Sequence, residues 1–223
     1  MTPEEILAQA KRYQGKTINE VSGELGTSIP EDHVHTKGKV GNLFEVLPGS
    51  DAKSHSSPDF EKIGLELKVV PINEKGKPWE TTAITSIDYM EIPSQKWEDS
   101  RAYRKTRHIL FVPIIQMSKK ASIGERRVGK PFLWRPSPQV DSQLKKDWES
   151  AAYLIREGRA HELTGRMGLY MQPRTKGRNS TDLVEAPGID NQIVRVKRRA
   201  FYFRVSFTRR IIEENLEAGS SLQ

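Results

Sequence analysis

The 223-residue chain contains no cysteine. That excludes disulfides, thiolate zinc sites and cysteine nucleophiles, and it fits a reducing compartment. Long apolar runs are also missing. Nothing approaches the ~20 residues a membrane helix needs. The opening, MTPEEILAQAKRYQGK, has no apolar signal core, so a cytoplasmic protein is expected. Histidine is scarce, five in all, and none falls in H-E-x-x-H or a zinc spacing; His33 and His35 lie two apart in a polar loop. No G-x-S-x-G nucleophile motif occurs. GERRVGK (124–130) begins like a phosphate-binding P-loop, but Pro131 stands where Ser or Thr must follow. Proline supplies neither the hydroxyl for Mg²⁺ nor an amide at the helix start.

What is present is charge, and it is unevenly placed. The net charge is +7. Between Arg174 and Arg210 there are ten Lys/Arg and three acids, so this segment alone carries +7. The rest holds 26 basic and 26 acidic residues and nets zero. A basic excess confined to one segment is either a solvated face or a surface for a polyanion. Hydrophobic residues make up 35%. That is low, but enough for the core of one domain, or of two joined lobes.

Turn and capping signals divide the chain. Thr2–Glu5 and Thr17–Glu20 are capping boxes, stopped by Gly15 and Gly26. Val40, Leu43, Phe44 and Leu47 form one helix face, which Pro48-Gly49 ends. Strands are predicted at 63–70, 80–87 and 108–115, with a long charged connection between the last two. A helix is predicted over about 141–157, capped by Asp141 and stopped by Gly158. Short strands are predicted at 167–172 and 192–196. AFYFRVSF (200–207) alternates strictly and reads as a strand that sends Tyr202 and Arg204 to its polar face, with a last helix capped by Thr208. The final AGSSLQ (218–223) reads as a disordered tail. Helices followed by strands with interleaved helices predict a mixed α/β layer fold.

Chemistry concentrates in SPDFEKIGLELKVVPI (57–72). Leu65, Leu67 and Val69 alternate with Glu66 and Lys68, so the acid and the base share a strand face, with Asp59 upstream in a Pro-led turn. Two readings stay open at this point. One is a solvated sheet face. The other is a site for a hard divalent cation, with Asp59 and Glu66 as carboxylate ligands, the Leu67 carbonyl between them, and Lys68 beside the reacting phosphate.

The same residues resemble a known family. PDF…GLELKVVPI…GKPWETT (58–82) is similar to the metal-binding core of the MutH mismatch-repair endonucleases, of the PD-(D/E)xK nuclease group, and to their GATC-cutting type II restriction relatives. KGKVGNLFE (37–45), KWEDSRAYRK (96–105), RRVGKPFLWRPSPQVDSQLKKDWE (126–149), QPRTKG (172–177) and FYFRVSFT (201–208) resemble further family motifs in the same order. Together they cover about residues 1–216.

The resemblance implies a restriction-endonuclease-like fold: a mixed central sheet flanked by helices, one domain over 1–217 whose two lobes clamp DNA, with the active site at their junction. It implies Mg²⁺, with Mn²⁺ as a substitute, held by Asp59, Glu66 and the Leu67 carbonyl. It makes Lys68 catalytic, with Glu45 as a further acidic group and Lys105 as a second active-site lysine. On sequence alone Glu45 flanks the apolar stripe beside Phe44 and is either a group at a cleft edge or an ordinary exposed helix acid, and Lys105 reads as a solvated loop lysine. The resemblance assigns Lys37, Arg174, Lys176, Gly177 and Tyr202 to DNA reading. Arg204 joins them from the same strand face, and Arg101 and Arg104 stand where relatives often carry histidine. The implied partners are double-stranded DNA and MutL, acting on a monomer or a DNA-induced dimer. Three functions follow: a mismatch-repair nickase, a restriction enzyme cutting both strands unaided, or a DNA-binding protein that does not cleave.

Overall fold

The computed structural model describes residues 1–27, 39–45, 56–117, 122–179 and 181–217. Lys37, Leu47, Pro48, Gly49 and the 218–223 tail lie outside the described residues. The chain forms two compact units. The first comprises Met1–Glu80, Arg107–Arg135 and Thr208–Gln223; the second comprises Thr81–Thr106 and Pro136–Phe207.

The first unit opens with two capped helices, α1 (Pro3–Lys11) and α2 (Ile18–Glu24). Both capping boxes form as expected: Thr2 and Thr17 accept the amides of Glu5 and Glu20, and each glutamate returns a bond to its cap's amide. Helix α3 (Lys39–Glu45) packs on strand β1 (Glu66–Ile72). Ile6, Ala10, Ile18, Val21, Leu43 and Phe44 meet Leu65, Leu67, Leu110 and Val112 in one buried cluster. The predicted Leu43–Phe44 face is therefore a core face.

β1 pairs in parallel with β3 (Ile109–Ile115), Glu66 opposite Ile109. Strand β2 (Thr82–Ser86) intervenes in sequence but belongs to the second unit. β4 (Arg127–Val128) and β5 (Phe132–Trp134) both pair antiparallel with β3 and complete a four-stranded sheet. The run ILFVPII is apolar throughout because β3 is covered on both faces. Leu110, Val112 and Ile114 join the helical cluster, and Phe111 stacks on Phe132 with ring centroids 5.3 Å apart.

In the second unit, α4 (Arg101–Thr106) follows two 3-10 turns (Ile92–Ser94 and Trp97–Asp99), so the charged connection is ordered structure rather than loop. The long helix α5 runs Pro138–Arg156. It starts earlier than predicted because Ser137 accepts the Val140 amide and Pro138 occupies the first turn; Asp141 lies inside that turn. β6 (Met171–Thr175) and β9 (Arg199–Phe203) pair antiparallel, with β2 on the other side of β9. β7 (Leu183–Pro187) and β8 (Ile193–Lys197) form a separate hairpin.

AFYFRVSF is divided. The strand ends at Phe203 and α6 (Val205–Glu217) begins two residues later. Phe203, the last residue of β9, and Phe207, in the first turn of α6, meet edge-on at 5.2 Å, so both stay buried across the junction although the alternation stops.

Tyr89 shows what burial does in this unit. It is 2% exposed, and its hydroxyl donates to the Lys197 carbonyl at 3.0 Å. Burial pushes the phenol up to about 12, against the opposing pull of Arg199. The folded chain therefore keeps a proton that the unfolded chain releases above pH 10. Stability is complete below pH 10 and falls as pH rises towards 12, by about 1.4 kcal/mol for each pH unit. Tyr89→Phe will cost about 1 kcal/mol at pH 8, the ordinary worth of one hydrogen bond. That gap will close by pH 11 in urea denaturation; a gap independent of pH would refute the account.

Candidate active site

The stretch 57–72 folds back on itself. A 3-10 turn at Glu61–Ile63 is closed by Gly64 at φ +62°, a conformation that favours glycine. The turn brings Phe60 antiparallel to Leu65, with both backbone bonds made at 2.9 and 3.2 Å. It also consumes residues 61–64, which is why β1 starts at Glu66 rather than at 63.

The fold-back docks Asp59 on β1. Its Oδ2 accepts the Leu67 amide at 2.8 Å. The Glu66 amide points the opposite way, to the His108 carbonyl at 3.0 Å. A strand residue's N–H and C=O point to the same side, so the Leu67 carbonyl lies on the Asp59 side of β1. His108 is held beside this point by Arg135, whose guanidinium donates to Nδ1 at 3.1 Å. Burial, then Arg135, keeps that imidazole below its usual range.

The Glu66 side chain is only 1% exposed, and Lys68 is 15% exposed. The two are hydrogen-bonded through Nζ and Oε1. A solvated sheet face does not bury its glutamate, so the choice left open by the sequence falls against that reading. Glu66 and Lys68 form a buried, mutually compensated pair, and removing either partner would strand a charge.

The available donors are two carboxylates, Asp59 and Glu66, on adjoining segments, and the Leu67 carbonyl on the Asp59 side of β1. Among the described residues no three His, Cys, Asp or Glu side chains are grouped so as to hold a metal ion. Two carboxylates suit Mg²⁺, which keeps several of its waters and binds few protein ligands. The backbone of Glu45 closes α3, and its side chain lies outside the described residues.

The second unit holds the other predicted residues. Lys105 is 6% exposed, on α4, and so is not a solvated loop lysine. Arg174 donates to the Thr81 hydroxyl at 2.7 Å and lies over the Tyr202 ring at 5.9 Å. Lys176 follows at the exposed end of β6, where its amide bonds the Arg198 carbonyl. Gly177 packs tightly: a Cβ there would come within 3.1 Å of Asp182. Lys176, Arg178 and Arg198 line an open cavity of about 620 Å³ with Asn179, Thr181 and Asp182. The Arg178 amide, then the Arg198 guanidinium, hold the Asp182 carboxyl below its usual range.

Three arginines are engaged in ways the sequence did not indicate. Arg101 pairs with Asp88 and Glu91 at 3.1 and 2.5 Å. Arg104 donates to the Asp99 carbonyl at 2.6 Å. Arg204 lies beyond the end of β9, off the face expected to carry it beside Tyr202, and spends its guanidinium on four backbone carbonyls.

Comparison with known proteins gives the family. Residues 49–147 match the family described as MutH, DNA mismatch repair enzyme MutH. The chain is 36% identical over 212 residues to the DNA mismatch repair protein MutH of Vibrio cholerae serotype O1, covering 95% of this chain and 96% of that one. The protein of the same name from Haemophilus influenzae is 37% identical over 216 residues, 97% and 96% of the two chains. That from Shewanella baltica is 35% identical over 210 residues, 94% of each.

The chain belongs to the MutH family. Its fold is therefore the restriction-endonuclease-like one, consistent with the mixed α/β architecture. The stretch matched to the MutH family includes Asp59, Glu66, Lys68 and Lys105 and stops before Arg174. The relatives extend the likeness across the basic segment. Asp147, the last residue of the matched stretch, was not singled out by sequence, yet it is 5% exposed and holds three backbone amides. A signal existed: Asp147 falls three residues after Leu144, on the apolar stripe of α5, where an acid needs dedicated partners.

Proposed function

We propose that this chain is a Mg²⁺-dependent DNA endonuclease of mismatch repair that nicks the unmethylated strand at or near GATC. One observation carries the proposal: a buried Glu66 pairs with Lys68 on β1 while Asp59 is docked one residue away on the Leu67 amide. Asp59, Glu66 and the Leu67 carbonyl would hold the ion. Once bound, Mg²⁺ supplies charge stabilisation on the phosphate and a lowered pKa for water.

The chain's own residues do the rest. Lys68 can leave Glu66 and donate to the attacking water or to a non-bridging phosphate oxygen. The water gives up a proton to solvent as its oxygen bonds to phosphorus, the bond from phosphorus to the 3′ oxygen breaks, and that oxygen takes a proton from solvent, leaving a 3′-hydroxyl and a 5′-phosphate. In the second unit, Arg174 and Lys176 would contact base edges, as arginine and lysine do at guanine O6 and N7. Tyr202, beneath Arg174, would sense the adenine N6 group. MutL would be the activating partner.

The test is plasmid cleavage. Purified protein is incubated with supercoiled, unmethylated GATC plasmid and Mg²⁺ at low salt, with Asp59→Ala as control. Nicked circles that increase with MutL and vanish in Asp59→Ala are expected. Prompt linear product without a partner would instead make the chain a restriction enzyme, a reading favoured by the +7 confined to 174–210. Intact plasmid even with MutL would overturn endonuclease action at GATC.

A further inference from the structure

The loop between Thr164 and Met171 is held from two sides by opposite charges. Asp147, on α5, takes its amides: Oδ1 accepts from Leu169 at 2.9 Å, and Oδ2 accepts from Tyr170 and Met171 at 2.7 and 2.8 Å. Gln143 completes Oδ1 at 2.8 Å. Arg204, at the start of α6, takes the carbonyls: Gly165, Arg166, Met167 and Gly168 at 2.8–3.2 Å. Its own amide donates to the Tyr170 carbonyl at 2.9 Å, and the Tyr170 ring stacks on Phe207 at 4.2 Å. Gly168 has φ +75°, and a Cβ there would lie 1.8 Å from the Met171 carbonyl, so glycine is required for the fit.

Carboxylate-to-amide and guanidinium-to-carbonyl bonds are charge-assisted and strong. Seven of them fall on seven consecutive residues, Gly165 to Met171, six in the loop and one at the first residue of β6. The loop is thereby held in one place against the side chains beside it. One of them lies beside Gly165. The point where its Cβ would lie is 3.5 Å from Arg174 Cγ and 3.6 Å from Gln172 Oε1. The loop is one wall of the Arg174 stem; Tyr202 lies under the guanidinium, and Thr81 takes one of its N–H groups.

We infer that Asp147 and Arg204 are positioning residues that set the direction of Arg174, and through it the discrimination of target from non-target DNA. The inference rests on the reading of Arg174 as a base-contacting residue. Asp147 acts through the loop and touches no substrate. Arg204 acts the same way, in place of the direct DNA contact that its strand pattern predicted.

The two roles separate experimentally. A phosphate contact weakens binding to all sequences and lowers the salt slope by about one; a positioning residue lowers the preference and leaves the salt slope alone. Asp147→Asn keeps an oxygen for one pair of donors and turns an NH₂ towards the other pair. Arg204→Lys keeps the charge but loses the fork that spans four carbonyls. Both would be assayed by fluorescence anisotropy on a GATC duplex and a permuted duplex, without divalent cation, across a salt series.

Each variant is expected to lower the GATC-to-permuted affinity ratio by about tenfold, equivalent to ~1.4 kcal/mol. Permuted-site affinity and salt slope should stay within twofold of the parent. Arg204→Lys keeps the inference testable if Asp147→Asn fails to fold by circular dichroism. Unchanged ratios in a parent that does prefer GATC would overturn the inference alone. Equal loss on both duplexes would return Arg204 to direct contact and overturn it too. A parent without preference would overturn the proposed target, and the inference with it.

Discussion

Glu66→Gln will cut GATC plasmid about a thousandfold more slowly than the parent while binding the same duplex with unchanged affinity. Glutamine keeps the length and shape of the side chain, and its carbonyl oxygen can still accept from Lys68 Nζ. What it removes is the negative charge at a position only 1% exposed, where no solvent compensates. The proposed ion then has one carboxylate, Asp59, and one neutral carbonyl, Leu67. Losing half of the anionic donor set is expected to cost about 4 kcal/mol at the transition state, the equivalent of that thousandfold. On the proposed reading DNA affinity would reside largely in the basic segment, and it should not move. Glu66→Ala is the worse variant. It leaves the Lys68 ammonium in a mostly buried site without its carboxylate, at a cost of about 3 kcal/mol in folding. Cleavage by Glu66→Gln within threefold of the parent would refute a catalytic role for this carboxylate. Loss of binding in step with cleavage would make Glu66 a folding residue only.

How much of this was legible in the sequence depended on whether the deciding contact was local. The capping boxes at Thr2 and Thr17 are four-residue patterns, and both form. The shared face of Glu66 and Lys68 follows from period two, and it holds. Their burial did not follow, because it is set by β3 and the segments packed around it, tens of residues away. The docking of Asp59 on Leu67 hinges on Gly64, whose positive φ shortens the strand and reverses the chain. A lone glycine beside an apolar run signals that only weakly.

The arginines show the same limit from the other side. Period two assigned Arg204 to a strand face because Val205 and Phe207 continue the alternation past Phe203, where the strand ends. The partners that claim Arg204 are carbonyls 36 to 39 residues earlier. Arg101 was grouped with the DNA-contacting candidates, yet Asp88 and Glu91 lie 13 and 10 residues upstream, across a turn that no pattern revealed. Basic residues were countable, but which of them were already spent was not.

Trp148→Ala will destabilise the second unit by about 3–5 kcal/mol, the range for deleting a large buried aromatic. Trp148 is 1% exposed on α5, between Leu144 and Ala151–Ala152 on the same stripe. Its ring lies 6.1 Å from Trp97, itself 1% exposed, and Trp97 meets Tyr103 edge-on at 5.5 Å. The indole N–H of Trp97 reaches Asp141 at 3.4 Å, back on α5. This chain of aromatics fastens α4, which carries Lys105, to α5, which carries Asp147. A cavity at Trp148 therefore loosens both elements, and the loss should appear as faster hydrogen exchange in Arg101–Thr106 as well as a lower urea midpoint by circular dichroism. Trp97→Ala should cost a similar amount. The double variant should cost less than the two together by about 1 kcal/mol, because each single change already removes the contact they share. Strict additivity would mean that the rings are buried independently. A loss below about 1 kcal/mol for Trp148→Ala would mean that α4 and α5 are held together by something other than this pair.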